Sequence, residues 1–258
     1  MRITSLLENT TLNDQLQTEH GLSLYIETDD LNILFDMGQT GLFAENAKEL
    51  GIDLENVDLA VLSHGHYDHG GGLSTFTKIN HKAPIYISRY AFEPHFHGTE
   101  KYIGLDTSLA RNNRFILTDD YTPIDAHLTL SSCNTYTRNH DLGSFGLTMV
   151  QDNAFLPDDF RHEQYLLIEE KGEKVLISGC SHKGIMDIAE WFLPDVLVGG
   201  FHFSKLPLDE TLAGYAGYLN QFDTDFYTCH CTGTKQFEFM KKSMDRLFYL
   251  SCGESIVI

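Results

Sequence analysis

The sequence predicts an α/β protein built in layers, and three observations carry that prediction. Short apolar runs that read as strands alternate with helix-like segments throughout the 258-residue chain. Two strand-turn-strand units, near 22–36 and 165–178, share one design, as a duplicated sandwich would. A buried strand, Val57 to Leu62, runs directly into a histidine-rich loop, so a sheet delivers that loop to the protein edge. No linker or low-complexity segment interrupts the pattern, and one domain covering residues 1–258 is expected.

Taken in order, Ser5 to Thr10 reads as a strand end that runs into a polar loop closed by Glu19-His20-Gly21. Leu22 to Thr28 and Asn32 to Asp36 make a hairpin around Asp29-Asp30, a turn pair by residue type. A helix from Gly41 to Leu50 follows, which Asp36 could cap. Beyond the histidine-rich loop, Leu73 starts a helix and Pro84 to Ser88 forms a strand. From Arg89 to Asp125 the pattern blurs around Pro94, Gly98, Gly104 and Pro123, and such an irregular excursion suits a lid facing substrate. His95 and His97 there have no nearby carboxylate and read as solvent-facing or lid histidines. The second half starts near Leu128. It contains a hairpin of Tyr165 to Glu169 and Val175 to Ser178, a helix from Gly184 to Leu193 and a strand from Asp195 to Val198. A helix from Asp209 to about Leu219, a strand from Asp225 to Thr228 and a last helix from Thr234 to about Leu247 complete it.

The loop Ser63-His64-Gly65-His66-Tyr67-Asp68-His69-Gly70-Gly71-Gly72 concentrates metal-ligand chemistry. In extended backbone His64 and His66 point to the same side, while Asp68 and His69 fall where the chain must turn. Two imidazoles can close on one ion, and the carboxylate with the third imidazole on a neighbour. Nitrogen and oxygen donors of this kind suit zinc, as one or two divalent ions, with iron or manganese as further options. The glycines let the backbone bend close to the ions. A polar surface loop that merely happens to be histidine-rich would not be expected to combine this spacing with a carboxylate, a strand and a glycine turn.

Composition narrows the partners. A formal charge of −19, from 18 basic and 37 acidic side chains, opposes a polyanionic partner, so no nucleic acid is expected. No apolar run approaches the ~18 residues of a membrane span, and Met1 to Ser5 does not open a secretory signal. A soluble, cytoplasmic protein without a membrane partner follows as the expectation, its oligomeric state left open. Five cysteines, Cys133, Cys180, Cys229, Cys231 and Cys252, lie scattered without a disulfide framework, which fits a reducing compartment.

His64-x-His66-x-Asp68-His69 after a strand resembles the signature of metallo-β-lactamase-fold hydrolases. The resemblance implies a four-layer αβ/βα sandwich with a metal site along one edge between two similar halves. It also implies that Asp36-Met37-Gly38 matches the family's Asp-x-Gly, whose carboxylate orients the metal loop. Cys180, in Ser178-Gly179-Cys180-Ser181-His182, stands where the family usually has a bridging aspartate, and a thiolate is a good ligand for zinc or iron. His230 resembles the last histidine ligand and would join Asp68 and His69. His162, eighteen residues before Cys180, lies where the middle histidine is expected, with Glu163 as the competing donor.

A closer resemblance joins Glu19-His20-Gly21-Leu22-Ser23, Gly179 to Ile185, Gly199-Gly200-Phe201-His202-Phe203 and His230-Cys231-Thr232-Gly233. It points to the dihydropterin-ribofuranosylaminobenzene-phosphate synthase-like branch, and with it Glu19 and His20 count among the substrate-binding candidates. His202 leaves an apolar strand with Lys205 three residues on, and beside a metal edge such a pair can hold a phosphate. His182 reads as an orienter of a ligand, a substrate contact or a ligand itself.

The expected chemistry is metal-assisted hydrolysis, or a related phosphate-ester reaction, on a small anionic molecule. Asp68 would orient the attacking water, and His202, Lys205 and His182 would take the anionic part. An iron-dependent oxidoreductase on the same fold, or a non-catalytic metal- or ligand-binding protein, are the competing expectations.

Overall fold

The computed structural model describes all 258 residues. Two seven-stranded mixed sheets dominate it. In the first, Ser255–Val257, Arg2–Leu7, Ser23–Glu27 and Asn32–Phe35 pair antiparallel; Leu59–Val61, Ile85–Ser88 and Phe115–Thr118 then continue in parallel. The second repeats the plan: Leu247–Tyr249, Asp225–Thr228, Val196–Gly199 and Glu173–Ile177 are parallel, and Tyr165–Glu170, Leu128–Ser131 and Tyr121–Pro123 antiparallel. The strands alternate inward and outward residues because side chains alternate faces along a pleated backbone.

The inner faces meet in one core of 18 buried residues drawn from both sheets, among them Ile3, Ile26, Phe35, Val61, Leu130, Leu166, Ile177 and Val198. Each such side chain contributes about 1.5–3 kcal/mol when buried, which keeps the strand ends that carry the histidines in fixed relation. Helices Leu42–Glu49 and Leu73–Ile79 cover the outer face of the first sheet through Phe43, Ala47, Leu73 and Phe76. Ile185–Phe192, Glu210–Leu219 and Thr234–Met240 cover the second through Ile188, Leu212, Ala216 and Met240. The expected four-layer αβ/βα arrangement is therefore the observed one.

Two expectations are corrected. The excursion from 89 to 125 is not irregular throughout, because Phe115–Thr118 joins the edge of the first sheet by backbone pairing with Ile85–Ser88. His95–His97 and Lys101–Tyr102 form a hairpin that pairs with Leu147–Gln151 and Ala154–Pro157 in a separate four-stranded sheet. The last helix stops at Met240, well before Leu247, which belongs to the edge strand of the second sheet.

Candidate metal centre

The first sheet ends Asn32–Phe35 and Leu59–Val61 side by side, and Asp36 sits at the turn with φ 60°, a region Asp and Asn tolerate better than most residues. Its carboxylate is fully buried and accepts from the Ser63 amide at 2.7 Å, the Ser63 hydroxyl at 2.7 Å and His69 Nδ1 at 2.6 Å. Having given its proton to Asp36, the Ser63 oxygen accepts from His64 Nδ1 at 2.7 Å. Both rings thus keep a proton on Nδ1 and turn Nε2 toward the site; His64 presents a bare lone pair there, whereas His69, despite its burial, is raised to about 9 by Asp36, so an ion must displace its Nε2 proton. One carboxylate sets the tautomer of two histidines. It does not cap the following helix, whose N-cap, Gly41, has no side-chain partner.

His69 Nε2 lies 3.2 Å from His230 Nε2, and Asp68 Oδ2 lies 3.5 Å from His230 Nε2 and 3.9 Å from His69 Nε2. Three donors at 2.0–2.1 Å from one tetrahedral zinc would be roughly 3.3–3.4 Å apart, so this triangle fits an ion. His230 is held for the role: its Nδ1 donates to Asn9 Oδ1 at 2.8 Å and its amide to Glu8 Oε2 at 3.0 Å. His20 Nε2 approaches Asp68 Oδ2 at 3.1 Å from the exposed side. Burial opposes the charge on Asp68, yet His20 and His230 hold its carboxyl well below the usual carboxylate range.

A second group comprises His64, His66 and His182, whose ligand atoms lie within 4.8 Å of one another. His64 Nε2, His66 Nε2 and both nitrogens of His182 are buried without a hydrogen-bond partner. An unsatisfied buried polar atom costs about 1–3 kcal/mol, so four in one spot are the signature of a site built for a ligand. Burial, helped by the neighbouring imidazoles, pushes all three titrations well below the ordinary histidine value, so the lone pairs stay free. His182 stacks on Phe160 at 4.7 Å, which fixes its ring plane. Cys180 Sγ, 3.2 Å from His69 Nε2, groups with both His64 and His69 and stands between the two ligand sets.

His162 lies outside this trio and belongs to a neighbouring group. Its Nδ1 accepts from the Gly65 amide at 2.9 Å, so its proton sits on Nε2, which faces Asp158 Oδ1 at 3.5 Å. That Nε2 has no hydrogen-bond partner, and His162 forms a further group of potential ligands with His66, His95 and Asp158, their ligand atoms within 4.8 Å of one another. Glu163 is occupied, its carboxylate accepting from the amides of His182 at 2.7 Å and Lys183 at 3.0 Å and from the Tyr165 hydroxyl at 2.6 Å. Glu19 does not line the cavity: it accepts from the Gln39 and Thr40 amides at 3.0 and 2.9 Å and from the Thr40 hydroxyl at 2.8 Å. His95 is fully buried and donates to Asp158 at 2.8 Å, so it is neither a solvent-facing nor a lid histidine.

Above the two groups opens a cavity of about 200 Å³ lined by His20, His66, Asp68, Cys180, His182, His202, Lys205 and His230. The four-stranded sheet supplies its far wall through His97, Lys101 and Leu147, with Ile103 and Phe145 alongside. Lys205 Nζ donates to His97 Nε2 at 3.3 Å, and neither Lys101 nor Lys205 pairs with a carboxylate. Asn9 and Lys101 had no local signal, and Ser63 and Cys231 stood inside recognised motifs without a role of their own. Asn9 reaches His230 across 221 residues, a contact no spacing rule announces.

Residues 17–212 match the profile described as the Metallo-beta-lactamase superfamily. An uncharacterized protein of Methanocaldococcus jannaschii, MJ0448, is 30% identical over 242 residues, covering 89% of this chain and 90% of its own. From the same organism, 7,8-dihydropterin-6-methyl-4-(beta-D-ribofuranosyl)-aminobenzene-5'-phosphate synthase is 26% identical, with 91% of this chain and 90% of that protein covered. The crystal structure of Tm1679, described as a metal-dependent hydrolase of the beta-lactamase superfamily, superposes with TM-score 0.85 at 28% identity, over 100% of this chain and 99% of that one. No helix is long and apolar enough to cross a membrane.

Proposed function

The chain belongs to the metallo-β-lactamase superfamily, and from that premise we propose that it is a metal-dependent hydrolase, or cleaves a related phosphate ester, on a small anionic substrate that is phosphorylated or pterin-like. The observation that carries the reading is the set of buried, unpartnered imidazole nitrogens at the floor of an open cavity whose rim holds two lysines without carboxylate partners. The name of the synthase relative supports a phosphorylated, pterin-related molecule, and the description of Tm1679 supports hydrolysis.

In this proposal His64, His66 and His182 hold one divalent ion and Asp68, His69 and His230 another, with Cys180 between them. Zinc suits this donor set best. When bound, the ions supply Lewis acidity and acidify water. The residues do the rest. Asp68, kept ionised by His20 and His230, accepts a hydrogen bond from the attacking water and aims it. His202 lines the cavity opposite, 4.3 Å ring to ring from His182, where it can donate to the substrate's anionic group. Lys205 and Lys101 attract that group at the rim, and Phe145, Ile103 and Leu147 exclude water from the wall. The local cations matter despite a chain charge of −19, because at ~8 Å of Debye screening an anion at the rim senses mainly its neighbours.

The test begins with quantification of metal in protein saturated with zinc and in protein stripped by chelator. A panel of phosphomonoesters, phosphodiesters, lactones and neutral esters follows. Zinc-dependent turnover of an anionic member is expected, with Lys205→Ala raising KM more than it lowers kcat. Zinc-saturated protein that turns over nothing in the panel, or that prefers neutral esters with kinetics unchanged by Lys205→Ala, would refute the reading.

A further inference from the structure

The cavity floor carries a thiol that the ligand sets above do not use. Cys231, buried beside His230 in the turn after Asp225–Thr228, presents its sulfur to the same floor as Cys180 and His202. The two sulfurs and one imidazole nitrogen lie within 4.8 Å of one another. Three independent features converge on this spot. A Cβ on Gly200 would stand 2.3 Å from Cys231 Sγ, so only glycine leaves room for that sulfur. His202 and His230 are both held at positive φ, 56° and 49°, conformations that a residue other than glycine adopts only where its surroundings impose them. His202 Nδ1 is buried and has no hydrogen-bond partner, while its amide donates to Cys231 Sγ at 3.2 Å.

A structural cysteine needs none of this. It packs as a small apolar group, and burial of a bare thiol asks for no glycine opposite and no strained histidine beside it. Two sulfurs with an imidazole, in contrast, are a donor set suited to soft, thiolate-seeking cations. A thiolate carries several lone pairs, so Cys180 can contribute here and to its neighbours at once.

We propose that Cys180, His202 and Cys231 form a third metal site, selective for a soft ion of the zinc or cadmium type, fused to the floor of the cavity. It shares Cys180 with the metal-centre reading and His202 with the proposed anion contact, and needs no particular substrate or turnover. Binding converts the cysteine S–H groups to thiolates, with the protons released to solvent. No electron transfer is involved.

Cadmium is the probe, because thiolate-to-cadmium charge transfer reports sulfur ligation in the ultraviolet. Equilibrium dialysis and absorbance are measured on the whole protein and on the Cys231→Ser and His202→Ala variants. Each variant is expected to bind one cadmium fewer per chain, or to bind it at least about tenfold more weakly, and Cys231→Ser to lose part of the charge-transfer band. Alkylation of wild-type Cys231, followed by peptide mass spectrometry, guards against a variant that fails to fold: cadmium should protect it. Unchanged stoichiometry and band in folded Cys231→Ser, or equal alkylation with and without cadmium, overturns the third site alone. A wild-type protein that binds no cadmium overturns it together with the two-ion reading, whereas absence of turnover would leave it standing.

Discussion

Replacing Asp36 by Asn tests how far one residue outside the ligand set governs the whole centre. Asn tolerates φ near 60° as Asp does, so the backbone is not the variable. The carboxylate accepts three donors at 2.6–2.7 Å. Asn offers one oxygen and one NH2 group in its place. If the oxygen keeps the Ser63 amide, the NH2 group faces the Ser63 hydroxyl and His69 Nδ1, which must both turn into acceptors. The proton of His69 then moves to Nε2, and the Ser63 hydroxyl, now donating toward His64 Nδ1, drives the same exchange there. Each ligand set loses one lone pair. Loss of a single orienting partner lowers metal affinity about 10- to 100-fold; as both sets are affected, zinc affinity should fall by about 100-fold or more. The exchange of three charge-assisted hydrogen bonds for neutral ones should also cost the metal-free fold about 2–4 kcal/mol. Competition against a chromophoric chelator reads the first effect and urea unfolding of stripped protein the second. Zinc affinity within about threefold of wild type would refute the tautomer argument, whatever happens to stability.

The remaining predictions concern ligand choice and pH. His182→Ala should release an ion, with His64 and His66 left as a two-donor site, whereas His162→Ala should retain both ions and weaken binding only through the Gly65 amide it supports. Metal content by mass spectrometry decides, and the opposite order would restore His162 as the ligand. In stripped protein, His64, His66 and His182 are kept neutral by burial while the unfolded chain takes up protons below its ordinary histidine value of about 6.5. The unfolded state then binds more protons, so stability should fall as pH drops from about 6.5 to 5, by up to about 1.4 kcal/mol per pH unit per histidine. Burial opposes the charge on His69, but Asp36 raises it to about 9, so it stays charged in the fold while the unfolded chain completes its protonation; it offsets part of the decline near pH 6.5 and almost none near pH 5. Denaturant midpoints across that range should show the decline, reduced in His64→Ala/His66→Ala; a flat profile would show that these rings do protonate in the fold.

Much of this was written locally. The layered fold follows from strand and helix periodicities, and the loop from Ser63 to Gly72 declares its chemistry because its ligands lie within a few residues of one another on a strand exit. Cys180 and His230 were legible for the same reason, each standing just beyond a strand. Spacing could not rank His162, Glu163 and His182 as third ligand. All three are potential donors close to strand ends, and they differ in where their side-chain hydrogen bonds go: His162 through Nδ1 alone, to the Gly65 amide, Glu163 to the amides of His182 and Lys183, and His182 to nothing. That allocation exists only once two sheets, distant in sequence, bring their edges together. His95 makes the same point, since its carboxylate partner Asp158 is 63 residues away and turned an apparent lid residue into a buried one. Sequence by itself determined which residue types could ligate and which strands would carry them, because those depend on side-chain chemistry and backbone period. Tertiary structure decided which lone pairs remain free, because a lone pair is free or spent according to the nearest donor, and here the nearest donors come from elsewhere in the chain.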